Sequence, residues 1–150
     1  MKFTPRKLNL FTVFNLPAAY FTGVRTKFID AKQCVVTVKH RWINQNPFKS
    51  MFWAVQGMAA ELSTGALIMM KIQESQKKIS MLVIQNNARF TKKAKGIITF
   101  SCDQGHLIDE ALQNAITTGK GQTVVLTAKG IDQTGDEVSS FDFEWGLKLK

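Results

Sequence analysis

The chain has 150 residues, a length typical of one folded domain with a single hydrophobic core. Apolar residues make up 45% and charged residues 21%, which argues against a disordered or fibrous chain. The net charge of +9 favours anionic partners, but it leaves nucleic acids, membrane surfaces and phosphorylated small molecules open. No stretch reaches the roughly 20 apolar residues that a membrane-spanning helix needs, so we expect no membrane span.

The two cysteines, Cys34 and Cys102, have neither CxxC spacing nor a histidine cluster beside them. This arrangement indicates neither a disulfide framework nor a structural zinc site. We therefore expect no metal and no cofactor, and a reducing, cytoplasmic location.

The first 20 residues have the order of charges of a signal peptide, because basic residues precede apolar ones. Asn9, Thr12 and Asn15 interrupt the apolar run, and the apolar residues between them recur at helical spacing. We expect an N-terminal helix over residues 1–20 within a single domain that spans residues 1–150.

Two β-rich runs follow, at residues 24–29 and 34–42. The second run, CVVTVKHRW, is rich in valine and threonine, which favour a pleated and half-buried setting. Both runs are predicted to be strands.

The segment NPFKSMFWAVQGMAAELSTG, residues 46–65, is predicted to be a helix that is apolar on every face. Asn46 or Ser50 could cap its start. The helix is predicted to end at Gly65, because glycine is common just beyond helix ends. After the first turn the only ionisable side chain is Glu61. Because packing must surround such a helix, we expect it at the centre of the fold.

Strands are predicted for ALIMMKIQ at 66–73 and for KISMLVIQNNARF at 78–90. GIITFSC, at 96–102, is expected to pair with the strand before it. Strict alternation along 78–90 places two sets of side chains on opposite sides: Leu82, Ile84, Asn86, Ala88 and Phe90 on one, and Met81, Val83, Gln85, Asn87 and Arg89 on the other.

A short helix is predicted for LIDEALQNAITTG, residues 107–119, with Asp103 as a candidate cap. The clearest hairpin follows, with strands at 123–131 and 138–150. In its second strand the aromatic residues Phe141, Phe143 and Trp145 alternate with Asp142 and Glu144, so one face of this strand is expected to be buried. Together these elements predict an α+β fold, a long curved antiparallel sheet wrapped around one central helix.

This order of elements resembles the hotdog fold over about residues 20–147, and in particular the acyl-CoA thioesterase-like family that includes phenylacetate-type thioesterases and uncharacterised bacterial relatives. In that family an Asn opens the helical segment, a His follows six residues later, and an Asp or Glu lies nine residues beyond. Asn46, Phe52 and Glu61 occupy this spacing, so that Phe52 stands where the family has histidine. The stretch NNARFTKKAKG is similar to the family's strand, basic turn and glycine.

The resemblance implies hydrolysis of a thioester of coenzyme A or of an acyl carrier. Glu61 would act as general base or nucleophile, Asn46 would position substrate or water, and backbone N–H groups at Phe52 or Trp53 would polarise the thioester carbonyl. It also implies a homodimer or a dimer of dimers, because similar proteins build this site from two subunits. Candidate acyl-pocket residues are Met51, Met58, Asn86 and Asn87, and candidate coenzyme A contacts are Arg89, Lys92, Lys93 and Lys95.

Three functions are compatible with these residues. The first is an acyl-CoA thioesterase, and the second is a non-catalytic acyl or acyl-CoA binding protein that lost the family histidine. Nucleic-acid binding rests on charge alone, since the aromatic residues are not interleaved with the lysines as stacking platforms would be. We do not expect it.

Overall fold

The structure is a computed structural model that describes residues 2–150, and it confirms a sheet wrapped around one long helix. Six strands form one antiparallel sheet in the order β1-β2-β4-β5-β6-β3. The strands are β1 (Arg25–Ile29), β2 (Cys34–Lys39), β3 (Ile79–Phe90), β4 (Ile97–Cys102), β5 (Gln122–Ile131) and β6 (Glu137–Leu149). The helices are α1 (Pro5–Asn15), α2 (Pro17–Phe21), α3 (Trp53–Ser75) and α4 (Gly105–Thr118), and a short 3-10 helix spans Trp42–Asn44.

The long helix α3 is at the centre, as predicted, but its predicted bounds are wrong at both ends. It begins at Trp53 rather than Asn46, and it continues through Gly65 to Ser75, so the predicted strand 66–73 is helical. It ends where Gln76 adopts the left-handed conformation, with φ 57°. An apolar run that is buried all round has no periodicity that separates a helix from a strand.

Gly65 is inside α3 because the sheet comes close to the helix there. A Cβ atom at Gly65 would lie 3.3 Å from the ring of Trp145 on β6. The indole N–H of Trp145 donates a hydrogen bond to Oγ1 of Thr64 at 3.0 Å, which fixes the ring against the helix. The glycine therefore permits close helix–sheet packing and does not end the helix.

The predicted N-terminal helix is two helices that meet at Pro17. The Asn9 side chain of α1 bonds to β1 twice: its Nδ2 donates to the Thr26 carbonyl at 3.0 Å, and its Oδ1 accepts from the Thr26 N–H at 2.8 Å. These bonds occupy backbone groups on the edge of β1 that no strand pairs. One edge of the sheet is therefore covered by α1.

The other edge is β3, which within residues 2–150 pairs with β6 and with no second strand. The predicted alternation along β3 fails because a bulge between Val83 and Gln85 inserts Ile84 as an extra residue. Beyond the bulge, Asn86 and Ala88 lie opposite the buried Phe143 and Phe141, whereas Leu82 lies opposite Gly146 on the outer face. One inserted residue exchanges the two faces of a strand.

The predicted pairing of β4 with β3 is also wrong. β4 pairs with β2 and β5, and the chain between β3 and β4 crosses from one end of the sheet to its middle. The predicted helix over 107–119 is present as α4, but Asp103 is not its cap. Gln104 precedes the helix without a side-chain cap, and its Oε1 instead accepts a hydrogen bond from the Thr127 N–H at 2.7 Å.

The predicted hairpin is confirmed as β5 and β6. Phe141, Phe143 and Trp145 are buried on its inner face, and the rings of Phe141 and Phe143 are stacked with centroids 6.0 Å apart. Within residues 2–150, no helix has both the length and the apolarity needed to cross a bilayer.

Candidate active site

Two clefts lie against α3. The first, about 580 Å³ in volume, lies at the helix start and is bounded by the preceding loop and the turn after β3. Aromatic side chains form its rim, and Phe48 is 70% exposed and Trp53 is 56% exposed. The full lining is Asn46, Pro47, Phe48, Ser50, Met51, Phe52, Trp53, Gln56, Phe90, Thr91, Lys92, Lys93 and Ala94.

Asn46 lines this first cleft but does not cap α3. Its Oδ1 accepts hydrogen bonds from the N–H groups of Phe48 and Ser50 and from the Ser50 hydroxyl. Its Nδ2 donates to the Ser50 hydroxyl at 3.0 Å and to the Met51 carbonyl at 3.3 Å. These five bonds hold the loop that leads into α3, in which Lys49 has a positive φ of 58°.

The backbone at the helix start offers one of the two expected N–H groups. The Phe52 N–H donates to the Asn44 carbonyl at 2.8 Å and is therefore occupied. Within residues 2–150, the N–H groups of Trp53 and Ala54 have no acceptor, because they belong to the first turn of α3. Phe52 precedes the helix without a side-chain cap, so these donors stay free for a ligand.

Gln56 lines this cleft but was not among the predicted site residues. Its side chain is only 4% exposed, and Nε2 donates weakly to the Met51 carbonyl at 3.5 Å. Among the described residues, its Oε1 is buried without a partner. The signal was visible in the sequence, since Gln56 is a polar side chain on an otherwise apolar helix.

The basic residues at the end of β3 and in the following turn differ in their ion pairs. The Lys92 ammonium contacts Asp132 at 2.8 Å and Asp136 at 2.7 Å, so this lysine clamps the β5–β6 turn. Hydrogen bonds from Lys92 lower the pKa of both carboxyl groups. Lys93 lines the first cleft without an ion pair in the described chain, whereas Lys95 is exposed and lies outside both the first and the second cleft. Arg89 is on the outer face of the sheet.

The second cleft, of about 340 Å³, lies between the α1–α2 corner and α3 and contains Glu61. Among the described residues that line it, Glu61 is the only ionisable side chain, and the rest of this lining is almost entirely apolar. The members are Asn15, Leu16, Pro17, Ala18, Ala19, Met58, Glu61, Leu62, Gly65, Ala66, Met69, Met81 and Trp145.

Glu61 is at the mouth of this cleft, where its side chain is exposed while apolar atoms surround it on the protein side. Desolvation raises the pKa of the Glu61 carboxyl above its ordinary value. A carboxylate with a raised pKa accepts a proton more readily near neutral pH, as a general base must.

The four candidate acyl-pocket residues are not together. Met51 lines the first cleft and Met58 the second, while Asn86 and Asn87 line neither of them. Asn86 is on the inner face of β3, and Asn87 faces the outer side of the sheet.

The sequence matches a family described as "Domain of unknown function (DUF4442)" over residues 7–147. The chain belongs to the DUF4442 family. A search of curated proteins found no match.

Solved structures with the same architecture place this DUF4442 chain in the hotdog fold. A Pseudomonas aeruginosa protein of unknown function, described as a "probable thioesterase", is 20% identical with a TM-score of 0.83, covering 98% of this chain and 97% of that one. A Chlorobaculum tepidum protein of unknown function is 17% identical with a TM-score of 0.82, covering 97% and 94%. A thioesterase from Haemophilus influenzae is 12% identical with a TM-score of 0.74, covering 99% and 93%.

The two histidines of this DUF4442 chain lie away from both clefts. His40 follows β2 and His106 is on α4, and neither lines the first or the second cleft. Within residues 2–150, no three His, Cys, Asp or Glu side chains are grouped so as to hold a metal ion. Among the described residues that line the two clefts, Glu61 is thus the only carboxylate, and none is a histidine.

Proposed function

We propose that this protein hydrolyses a thioester of coenzyme A or of an acyl carrier, at a site that two copies of the chain build together. The observation that carries the proposal is Glu61, a lone carboxylate with a raised pKa at the mouth of an apolar cleft. Its fold is also that of proteins described as thioesterases.

The second copy is needed because one chain keeps the two reacting parts separate. Trp53, with its free N–H, borders the first cleft, and Glu61 lies eight residues further along α3, about 12 Å away in the second cleft. A thioester carbonyl cannot contact both groups of one chain. A partner related by twofold symmetry would bring its own helix start to Glu61.

The open edge of the sheet supports such a partner. β3 is 12 residues long, and no strand of the described chain lies beside its outer edge, whereas the β1 edge is covered by Asn9. Leu82 is 70% exposed and Ile84 is 52% exposed on this strand. An open edge with exposed apolar residues favours pairing with a second copy. A homodimer through β3 is therefore part of the proposal, and a dimer of dimers is its larger form.

The reaction begins when the Glu61 carboxylate takes a proton from water, and the water oxygen attacks the thioester carbonyl carbon. The carbonyl oxygen becomes an oxyanion, which the free N–H of the partner's Trp53 stabilises. Collapse of this intermediate breaks the C–S bond, and the thiolate receives the proton from Glu61. The products are a carboxylic acid and a free thiol.

The first cleft suits the coenzyme A part of such a substrate. Lys93 supplies a cation for phosphate, and the exposed aromatic rim offers surfaces for the adenine ring. Arg89, Lys92 and Lys95 are weaker candidates, because Lys92 is already paired and the other two lie outside this cleft.

The test is release of free thiol from acyl-CoAs by the purified protein. Glu61→Gln removes the base and should lower turnover by about a hundredfold or more, within the range of general-base contributions. Trp53→Pro should also lower it strongly, because proline at the first helical position removes the N–H and keeps the helix. Trp53→Phe keeps the N–H and is the matched control. Turnover of the wild type equal to buffer across all chain lengths would reject hydrolysis.

One observation favours a second candidate function, a non-catalytic acyl or acyl-CoA binding protein. Phe52, which stands where the resembling family has histidine, is 45% exposed at the first cleft and cannot exchange protons. This candidate predicts that acyl-CoAs raise the melting temperature without product formation, because a ligand that binds only the folded state stabilises it.

A further inference from the structure

The cleft that contains Glu61 runs along one face of α3. Its helical lining residues recur every three or four positions, which is the spacing of side chains on a single helix face. This apolar stripe consists of Met58, Leu62, Gly65, Ala66 and Met69, with Glu61 among them near one end. The corner between α1 and α2 forms the roof, and Trp145 and Met81 form the floor. The cleft is therefore an elongated groove with its carboxylate at one end.

The groove does not stop at the end of this cleft. A third cleft, of about 340 Å³, lies further along α3. Its lining includes the apolar residues Phe3, Ile72 and Ile79 together with the polar or charged residues Gln73, Gln76 and Lys77. Met69 and Met81 line both clefts. Two methionine side chains thus form the partition between the apolar groove and this third, partly polar cleft.

We propose that the groove holds the straight aliphatic chain of the acyl group, with the thioester at Glu61, and that Met69 and Met81 set the length of chain that fits. This inference rests on the proposed function for the position of the thioester, and it adds the substrate class and the residues that select it. The chemistry of the lining supports an alkyl chain, because beyond Glu61 no side chain of this cleft carries a charge.

The length of the groove gives the number of carbons. Met69 lies eight residues beyond Glu61, which is about 12 Å along a helix. A C–C bond of about 1.5 Å advances an extended chain by roughly 1.25 Å, so eight to ten carbons reach the partition. Acyl groups of this length fill the groove, and longer ones meet Met69 and Met81.

Methionine suits a partition of this kind. Both side chains are half-buried, and methionine is unbranched and adapts its shape to its neighbours. Truncation of either residue to alanine joins the two clefts into one groove. At position 69 the substitution keeps α3 helical, because alanine is the best helix former.

The experiment measures kcat/KM for straight-chain acyl-CoAs from four to eighteen carbons. The wild type should have its optimum near eight to ten carbons, and Met69→Ala should move the optimum upward by at least two to four carbons. Each methylene group that the opened groove newly buries should raise kcat/KM by about fourfold. Met81→Ala, on the sheet side of the partition, should produce the same shift and serves where Met69→Ala folds poorly.

Met70→Ala is the matched control. Met70 is adjacent to Met69 on the same helix, but it is buried in the core and lines neither cleft. This variant should lower the melting temperature and leave the preferred chain length unchanged. Equal shifts in Met70→Ala and Met69→Ala, or no shift in Met69→Ala and Met81→Ala, would overturn the inference.

A second measurement separates this inference from the proposed hydrolysis. Free fatty acids of the same lengths are added to each variant, and the rise in melting temperature is recorded, since this readout needs no turnover. A longer preferred fatty acid in Met69→Ala supports the groove even where no thiol is released. Hydrolysis with an unchanged length preference would overturn the groove and leave the proposed function standing.

Discussion

Glu61 is a residue whose position costs the folded chain stability at neutral pH. Burial against apolar atoms raises its pKa, so the folded state binds a proton more tightly than the unfolded state does. Stability is therefore greatest below the unfolded pKa and falls as the pH rises toward the higher pKa of the folded state. Such a cost is common where a side chain is kept for chemistry.

Glu61→Gln should raise the melting temperature at pH 7 and have almost no effect at pH 4. The reason is that glutamine has no charge to bury, and at pH 4 the wild-type carboxyl is largely protonated in both states. The gain should be small, on the order of 1 °C, because water at the cleft mouth screens much of the cost.

The measurement is a thermal melt at both pH values. The control is Glu74→Gln, since Glu74 is exposed near the end of the same helix. An equal gain for both variants at pH 7 would show that a general charge effect, not the burial of Glu61, is responsible.

At the scale of elements, apolar pattern and turn residues were sufficient to predict the sheet, the hairpin and the central position of α3. They failed where tertiary contacts decide the outcome. Gly65 is a helix-ending residue in sequence, but in the fold it lies where a Cβ atom would be only 3.3 Å from the ring of Trp145, a residue far away in the chain. Asn46 has the chemistry of a helix cap, but its side chain forms hydrogen bonds within the loop before α3.

The candidate site was predictable in part for similar reasons. Glu61 stood out because a single charge on an apolar helix needs an explanation. The Phe52 N–H is not available to a substrate because it donates a hydrogen bond to the Asn44 carbonyl. This bond could not be predicted, since it depends on how the preceding loop folds back. The faces of Asn86 and Asn87 were assigned wrongly relative to Leu82 because a bulge leaves little signal in one sequence.

The β2–β4 pair offers a probe of how tightly the elements hold together. Cys34 and Cys102 lie opposite each other on these strands, and both are free and buried. Burial raises the pKa of Cys34 to about 12 and that of Cys102 to about 11, so the thiolate is scarce at pH 8.

Both thiols should react with a disulfide reagent at pH 8 at least about a hundredfold more slowly in the native protein than in urea, because reaction requires local opening. Labelling followed by peptide mass measurement gives the two rates. Since the residues face each other across one ladder, the rates should be similar. Rapid native labelling of either cysteine would contradict tight β2–β4 pairing.

At the scale of the whole molecule, the proposed site depends on two copies of the chain, and this dependence is measurable. Glu61→Gln and Trp53→Pro should each be inactive alone. After the two are unfolded, mixed in equal amounts and refolded, half of the dimers contain one chain of each kind. In these mixed dimers one site has both functional groups, so about a quarter of wild-type activity should return.

For the control, a chain that contains both substitutions is mixed with wild type. In these mixed dimers each site lacks one functional group, so only the wild-type dimers have intact sites.

Ile84→Lys on the open edge should produce monomers by light scattering and abolish recovery, because a charge there opposes edge pairing. Val125→Lys, at a similarly exposed position on the internal strand β5, should leave the dimer intact. Recovery that does not depend on mixing would rule out a shared site.

The position of β3 in the sheet has a consequence for biosynthesis. β3 pairs only with β6, and β6 begins roughly 50 residues later in the chain, so at about 5–20 residues per second its partner emerges several seconds after it. During this interval both edges of β3 are unpaired and Leu82 and Ile84 face water. Nascent chains stalled before β6 should therefore depend on chaperones far more than completed ones.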